Sequence, residues 1–249
     1  MGTAADRVLE QGRAGGRFGV NKVDRPSIDL RSLSEKVHDL IRRDILLGLL
    51  MPDEKLQIEM VSDRYGIGAV PVREALNRLS AEGLVTRRNQ RGFFVAPLDL
   101  DDLEALVRTR IWAETKALSD SIAHADDAWE EELVLSFHRL ARSSRQLQPD
   151  HGRTHSEEWD QRHKEFHMLL LSRCGSSWLL DFCSGMMDQA VRYRNISMNI
   201  HSSKARREGA NPEHQAILDA VLARDTELVC RLLAEHYQAT LTALRPPYA

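Results

Sequence analysis

Apolar residues recur at three- and four-residue spacing through most of this chain, and that period predicts helices. Leu33, Val37, Leu40, Ile41 and Ile45 share one face of a first helix, which Gly48 stops. Met51 to Leu56 reads as a turn. Ile58, Met60, Val61 and Tyr65 predict a second, short helix ending at Gly66. Val72, Ala75, Leu76 and Leu79 predict a third, within Val70–Leu79 and closed by Glu82-Gly83. Its opposite face carries Arg73, Asn77 and Arg78. Pro71 suits the first turn, where a missing N–H costs nothing. The pattern then shortens to that of strands. Leu84–Arg88 and Phe93–Ala96 read as a hairpin turning through Asn89-Gln90-Arg91-Gly92, with Gly92 free to take a positive φ.

Two short helices around a tight turn, followed at once by a hairpin with a basic tip, predict a winged helix-turn-helix. A helix with an apolar back and an Arg/Asn front fits a major groove. Arg73, Asn77 and Arg78 are the candidate readers there. Arg87, Arg88, Gln90, Arg91 and Gly92 form the wing that would meet phosphates or the minor groove.

Beyond Pro97 the helical period returns and lasts to the end. Asp99 is a candidate N-cap for a long helix carrying Leu103, Leu106, Val107, Ile111, Ala117 and Leu118. Further helices are expected from about Asp126 to Leu147, Ser156 to Ser172, Ser177 to Asn199, Pro212 to Ala223 and Thr226 to Leu244. Gln148–Gly152 and the charged Ser202–Gly209 read as loops, and Arg245–Ala249 cannot continue a helix. The expected fold is mainly α. An N-terminal winged helix-turn-helix with a small β-hairpin wing precedes a C-terminal all-α antiparallel helical bundle. The boundaries are 1–27 for a glycine-rich disordered arm, 28–97 for the winged helix and 98–249 for the bundle.

Charge agrees with this division. Through Pro97 there are 16 Lys/Arg and 13 Asp/Glu, and beyond it 18 and 24. A basic front and an acidic rear fit a nucleic-acid head on a body with another task. No apolar run is long enough to span a membrane, and Met1–Gly16 lacks the core of a secretory signal. The three cysteines, Cys174, Cys183 and Cys230, show no metal spacing. They read as reduced thiols of a cytoplasmic protein.

Histidines supply the other candidate chemistry. His163 and His167 stand one helical turn apart on one face. His214 and His236 each lie 11 residues from Asp225, the centre of the turn joining the last two helices. An antiparallel hairpin therefore brings them to one height. Four imidazoles at one level of a bundle would hold Zn²⁺, Ni²⁺ or a similar ion. The alternative is four scattered, merely packed histidines.

Residues 33–96 resemble the DNA-binding domain of the GntR family of bacterial transcription regulators. The resemblance rests on Leu46-Leu47-Gly48-Leu49-Leu50-Met51-Pro52, Pro71-Val72-Arg73-Glu74-Ala75-Leu76, Arg78-Leu79, Glu82-Gly83-Leu84-Val85 and Arg91-Gly92-Phe93-Phe94-Val95, in that order. Two positions depart from the family. Gly68-Ala69-Val70 replaces a polar triplet whose arginine reads a base. Specificity must then come from Arg73, Asn77, the wing, thymine-methyl contact by Ala69 or Val70, or DNA shape. Asp53 stands where a glycine is usual. The later chain resembles the FCD effector domain of the FadR-type branch. That resemblance implies an arginine facing an inner cavity, here Arg110 with Glu114 one turn on, against the plainer reading of a surface ion pair. It also implies a metal bound through an Asp-x-x-Phe-His segment and two later histidines. Phe166-His167, His214 and His236 match, and His163 takes the aspartate's place, with Asp160 in reserve.

The expected function is a homodimeric, sequence-specific regulator on operator DNA, of the repressor kind. A small carboxylate effector would bind near the metal and Arg110. A metal-dependent enzyme using the histidines is the competing reading. It lacks a carboxylate at motif spacing to act as base, and it leaves the winged helix without a purpose. A non-specific nucleoid protein is the third.

Overall fold

The computed structural model describes residues 30–143, 157–200 and 204–244, with side chains throughout except at 30–32, 197–200 and 204–210. The expected N-terminal arm, the loop at Gln148–Gly152 and the tail Arg245–Ala249 lie outside the described residues.

The head contains α1 (Leu30–Leu46), β1 (Lys55–Leu56), α2 (Ile58–Tyr65), α3 (Ala69–Ala81), β2 (Val85–Arg88) and β3 (Gly92–Val95). Its core joins Val37, Ile41 and Ile45 of α1 to Val72, Leu76 and Leu79 of α3, Val61 of α2 and Val85 and Val95 of the hairpin. Ser34 and His38 are buried beside the α1 stripe, while Leu33 packs at its margin. Gly66 caps α2 in the left-handed region, at φ 65°. The sheet is antiparallel in the order β1-β3-β2, with Val85 opposite Val95 and Arg88 opposite Gly92. The third strand corrects the expected turn at Met51–Leu56. Lys55 and Leu56 pair with Phe94 and Phe93, driven by the full burial of Leu56. Two residues are too short a run to show alternation.

The bundle contains α4 (Leu100–Ala123), α5 (Asp127–Arg142), α6 (Glu157–Leu171), α7 (Ser177–Ile200), α8 (Lys204–Leu222) and α9 (Thr226–Leu244). The Asp99 and Asp126 carboxylates accept from the N–H groups of Asp102 and Trp129, so each caps its helix. Two boundaries differ from expectation. Helix α5 ends at Arg142 because Ser143 turns extended and its hydroxyl donates back to the Leu140 carbonyl. Helix α8 begins at Lys204 and runs through Pro212, where a loop was expected. The segment Lys204–Glu208 is rich in strong helix formers, and they outweigh the one backbone bond that proline removes.

The last turns of α7 join the two halves. Gln189 donates to the Glu82 carbonyl (3.1 Å), Arg192 to that of Ala96 (2.5 Å) and Asn195 to that of Leu46 (2.9 Å). These three carbonyls end α3, β3 and α1, where backbone acceptors lack a partner of their own. Asp188 adds ion pairs to Arg42 of α1 and, at 2.7 Å, to Lys164 of α6. Among the described residues no helix is long and apolar enough to cross a membrane.

Candidate functional site

Helix α3 buries Pro71, Val72, Ala75, Leu76 and Leu79 and leaves Arg73, Asn77 and Arg78 in solvent. Ala69 is exposed in its first turn, and so is Val70, at 71 %. The face expected to read DNA is therefore open. At the wing, Arg87, Gln90, Arg91 and Gly92 are exposed. Gly92 takes φ 93° and Gln90 φ 59°, which completes the tight turn. Arg88 differs from its neighbours. Its guanidinium pairs with Asp53 and lies 4.3 Å from the centre of the Phe94 ring. Asp53 itself sits at φ 63°, a region that glycine enters without strain. The substitution of the usual glycine therefore ties down one wing cation.

In the bundle the four histidines come together. His163 and His167 project from α6, His214 from α8 and His236 from α9, and all four are buried. One ring nitrogen from each lies within 4.8 Å of all the others. His214 and His236 have ring centres 4.6 Å apart, as the equal spacing from Asp225 implied. The Nε2 atoms of His167 and His214 are 3.0 Å apart. Burial first, then the neighbouring imidazoles, holds His163 and His167 well below the usual histidine range. Both rings are thus neutral and keep a lone pair. Bonds of ~2.0–2.1 Å to a tetrahedral zinc set nitrogens about 3.3 Å apart. The observed spacing brackets that figure. Four imidazoles without an oxygen ligand suit Zn²⁺ or Ni²⁺ and disfavour Mg²⁺ or Ca²⁺. The residues present fit such an ion.

Asp160, the reserve ligand, is occupied elsewhere. It accepts from Arg194 (2.5 Å) and Asn195 (2.8 Å) and stands outside the cluster. Arg194 also approaches His163 Nδ1 at 3.4 Å and lies 5.0 Å from the Trp159 ring. Arg110 is buried in an ion pair, its Nε 2.7 Å from Glu114 Oε1. That is not a surface pair. Burial alone would lower the guanidinium's pKa, but Glu114 more than offsets it and the net shift is upward. Tyr237 donates to Glu114 Oε2 (2.5 Å) and lies 3.2 Å from His167 Nδ1. Glu213 meets His236 Nδ1 at 2.6 Å. Sequence reasoning missed Tyr237, Glu213 and Arg194. Each reaches its histidine across a helix–helix contact or through a turn of backbone, so no spacing rule points to them.

Two outcomes follow from this geometry. His163 and His167 stay neutral in the fold well below 6.5, where an unfolded imidazole takes up a proton. The folded state then binds fewer protons, so stability is full above that value and lost as pH falls below it. In chelator, the thermal midpoint should drop between about pH 7 and about pH 5; a flat profile contradicts the neutral pair. Separately, Asp53→Gly should release Arg88. DNA affinity should rise and its salt dependence steepen by about one counterion. An unaltered salt slope would show that Arg88 reaches no phosphate.

Comparison with known proteins agrees in both halves. Residues 33–95 match the family described as bacterial regulatory proteins, gntR family, and residues 99–239 match the FCD domain. The chain is 37 % identical over 220 residues to the HTH-type transcriptional regulator BphR of Paraburkholderia xenovorans, covering 88 % of each. It is 36 % identical over 197 residues to the HTH-type transcriptional repressor GlaR of Escherichia coli, covering 79 % of this chain and 88 % of that one. Among solved structures it is similar in fold to E. coli McbR/YncC, with TM-score 0.70 and 19 % identity over 85 % of this chain and 96 % of that one. BphR and GlaR are named as regulators of transcription. The chain belongs to the GntR family, as a DNA-binding transcriptional regulator that joins a winged helix-turn-helix to an FCD domain.

Proposed function

We propose that this regulator binds a pseudo-palindromic operator as a homodimer and answers to a small carboxylate that binds beside a metal ion in the bundle. The observation that carries the reading is the convergence of four buried imidazoles inside the domain that α7 fastens to the head. His167, His214 and His236 are the metal ligands in this reading, with His163 in the aspartate's place. With four imidazoles as ligands, a bound ion would take an oxygen donor as a fifth ligand. Four neutral ligands would leave the charge of a bound ion undiminished. Such a centre favours an anion, and a carboxylate is the simplest. Arg110 enters this reading through Glu114, which accepts from its Nε and Nη2.

On the head, Arg73, Asn77 and Arg78 face the bases. Ala69 and Val70 offer apolar contact to thymine methyls, and Arg87, Gln90, Arg91 and Gly92 meet the backbone. Half-sites about 34 Å apart require two heads. Trp178 of α7 is 87 % exposed and Trp112 of α4 is 71 % exposed, and both suit the cover of a second copy. GlaR is named a repressor, and repression is the sense we assign here, acting on operator DNA in the cytoplasm.

One set of measurements tests the reading. Arg73→Ala should abolish preference for the operator over unrelated DNA; an intact preference would remove the recognition helix from α3. In parallel, the double variant His214→Ala, His236→Ala should lose bound metal by mass spectrometry. It should also lose the thermal shift that organic acids give with zinc. Equal metal content in both proteins would remove the site.

A further inference from the structure

We propose that Tyr237 is a positioning residue that fixes which nitrogen of His167 faces the metal, acting through a hydrogen-bond chain that starts at Arg110. The inference rests on the metal reading above. Its support is the order of donors in the chain. Arg110 can only donate, and its Nε and Nη2 are turned to the two oxygens of Glu114, at 2.7 and 3.4 Å. Glu114, as a carboxylate, can only accept. It therefore takes the single proton of the Tyr237 hydroxyl, at 2.5 Å. With its proton committed, the phenolic oxygen is left as an acceptor. The atom 3.2 Å away is His167 Nδ1. That nitrogen must then carry the ring proton, and the lone pair falls on Nε2.

Nε2 is the atom that faces His214, at 3.0 Å. The direction of the whole chain is thus set by Glu114, its one member that cannot donate. His236 is treated alike by a shorter route, since its Nδ1 meets Glu213 directly at 2.6 Å. Two of the four rings are in this way turned to present Nε2. Arg110, Glu114, Tyr237 and His167 are all buried, so water does not compete for these bonds. The Tyr237 ring also lies 4.0 Å below the Arg110 guanidinium. Replacing tyrosine by phenylalanine keeps that contact and removes only the hydroxyl. Arg110 and Glu114, read from the sequence as an effector clamp or a plain ion pair, become the fixed end of a device that orients a ligand.

The test compares the wild-type chain with Tyr237→Phe by zinc competition against a chromophoric chelator and by the visible spectrum of the cobalt-loaded protein. Loss of a partner to a ligating imidazole typically weakens metal binding by about 10–100-fold. The variant should show a loss of that size and an altered cobalt spectrum, while its metal-free DNA affinity stays that of the wild type. Equal zinc affinity in the two proteins overturns the positioning role and leaves the metal site standing. Failure of the wild type itself to bind zinc overturns the metal reading, and this inference with it. A second measurement needs no variant. In metal-free wild-type protein, nitrogen NMR of the His167 ring should find its proton on Nδ1; a proton on Nε2 overturns the proposal even if Tyr237→Phe fails to fold.

Discussion

Four imidazoles buried in a helical core constrain the polar groups around them. A buried ring nitrogen costs free energy unless it finds a partner, and each neutral ring brings one donor and one acceptor. Glu213 and Tyr237 take the Nδ1 side of His236 and His167, and Arg194 approaches that of His163. Once Tyr237 is placed there, its own hydroxyl needs an acceptor, which brings in Glu114. A buried carboxylate needs a cation, which brings in Arg110. Much of the polar interior of the bundle is thus a consequence of the histidines.

The same demand reaches the head. Arg194, beside His163, is paired with Asp160, and the other oxygen of Asp160 accepts from Asn195. Asn195 donates its second amide proton to Leu46, the last residue of α1. A run of polar contacts therefore leads from the imidazole cluster to the first helix of the winged domain. Asn195 is buried, and its bonds to Asp160 and Leu46 cannot be exchanged for water without opening the seam between the halves. Arg192 and Gln189, one and two turns earlier on α7, hold the ends of β3 and α3 in the same manner. The bundle grips the head by the carbonyls that its own elements leave over.

Much of this was legible in the sequence. The periodicity located most elements, and the equal spacing of His214 and His236 from Asp225 placed two rings at one height before any coordinates. What stayed hidden has a common cause. A two-residue strand such as β1 carries no alternation. Glu213 and Tyr237 directly adjoin two of the histidines in sequence, yet neighbours on a helix point about 100° apart, so adjacency carries no contact information. Arg110 and Glu114 were visible as a pair one turn apart. Whether such a pair lies in solvent or in the core depends on which face α4 turns to α9, and α4 is amphipathic only weakly along its length.

The wing shows how one substitution alters a charge balance without altering the fold. Glycine at position 53 would make the turn into β1 without strain. Asp53 makes the same turn in the left-handed region that short polar side chains tolerate. In exchange the wing acquires a carboxylate against Arg88. The pair is partly open to solvent, so its stability is small, but its electrostatic effect on a phosphate is not. A guanidinium shared with a carboxylate offers an approaching backbone less net charge than a free one. With Gly68-Ala69-Val70 carrying no arginine as well, the head presents fewer free cations on both its helix and its wing. In the proposed reading, discrimination then falls more heavily on Arg73, Asn77 and apolar contact from Val70, groups whose fit depends on the bases themselves.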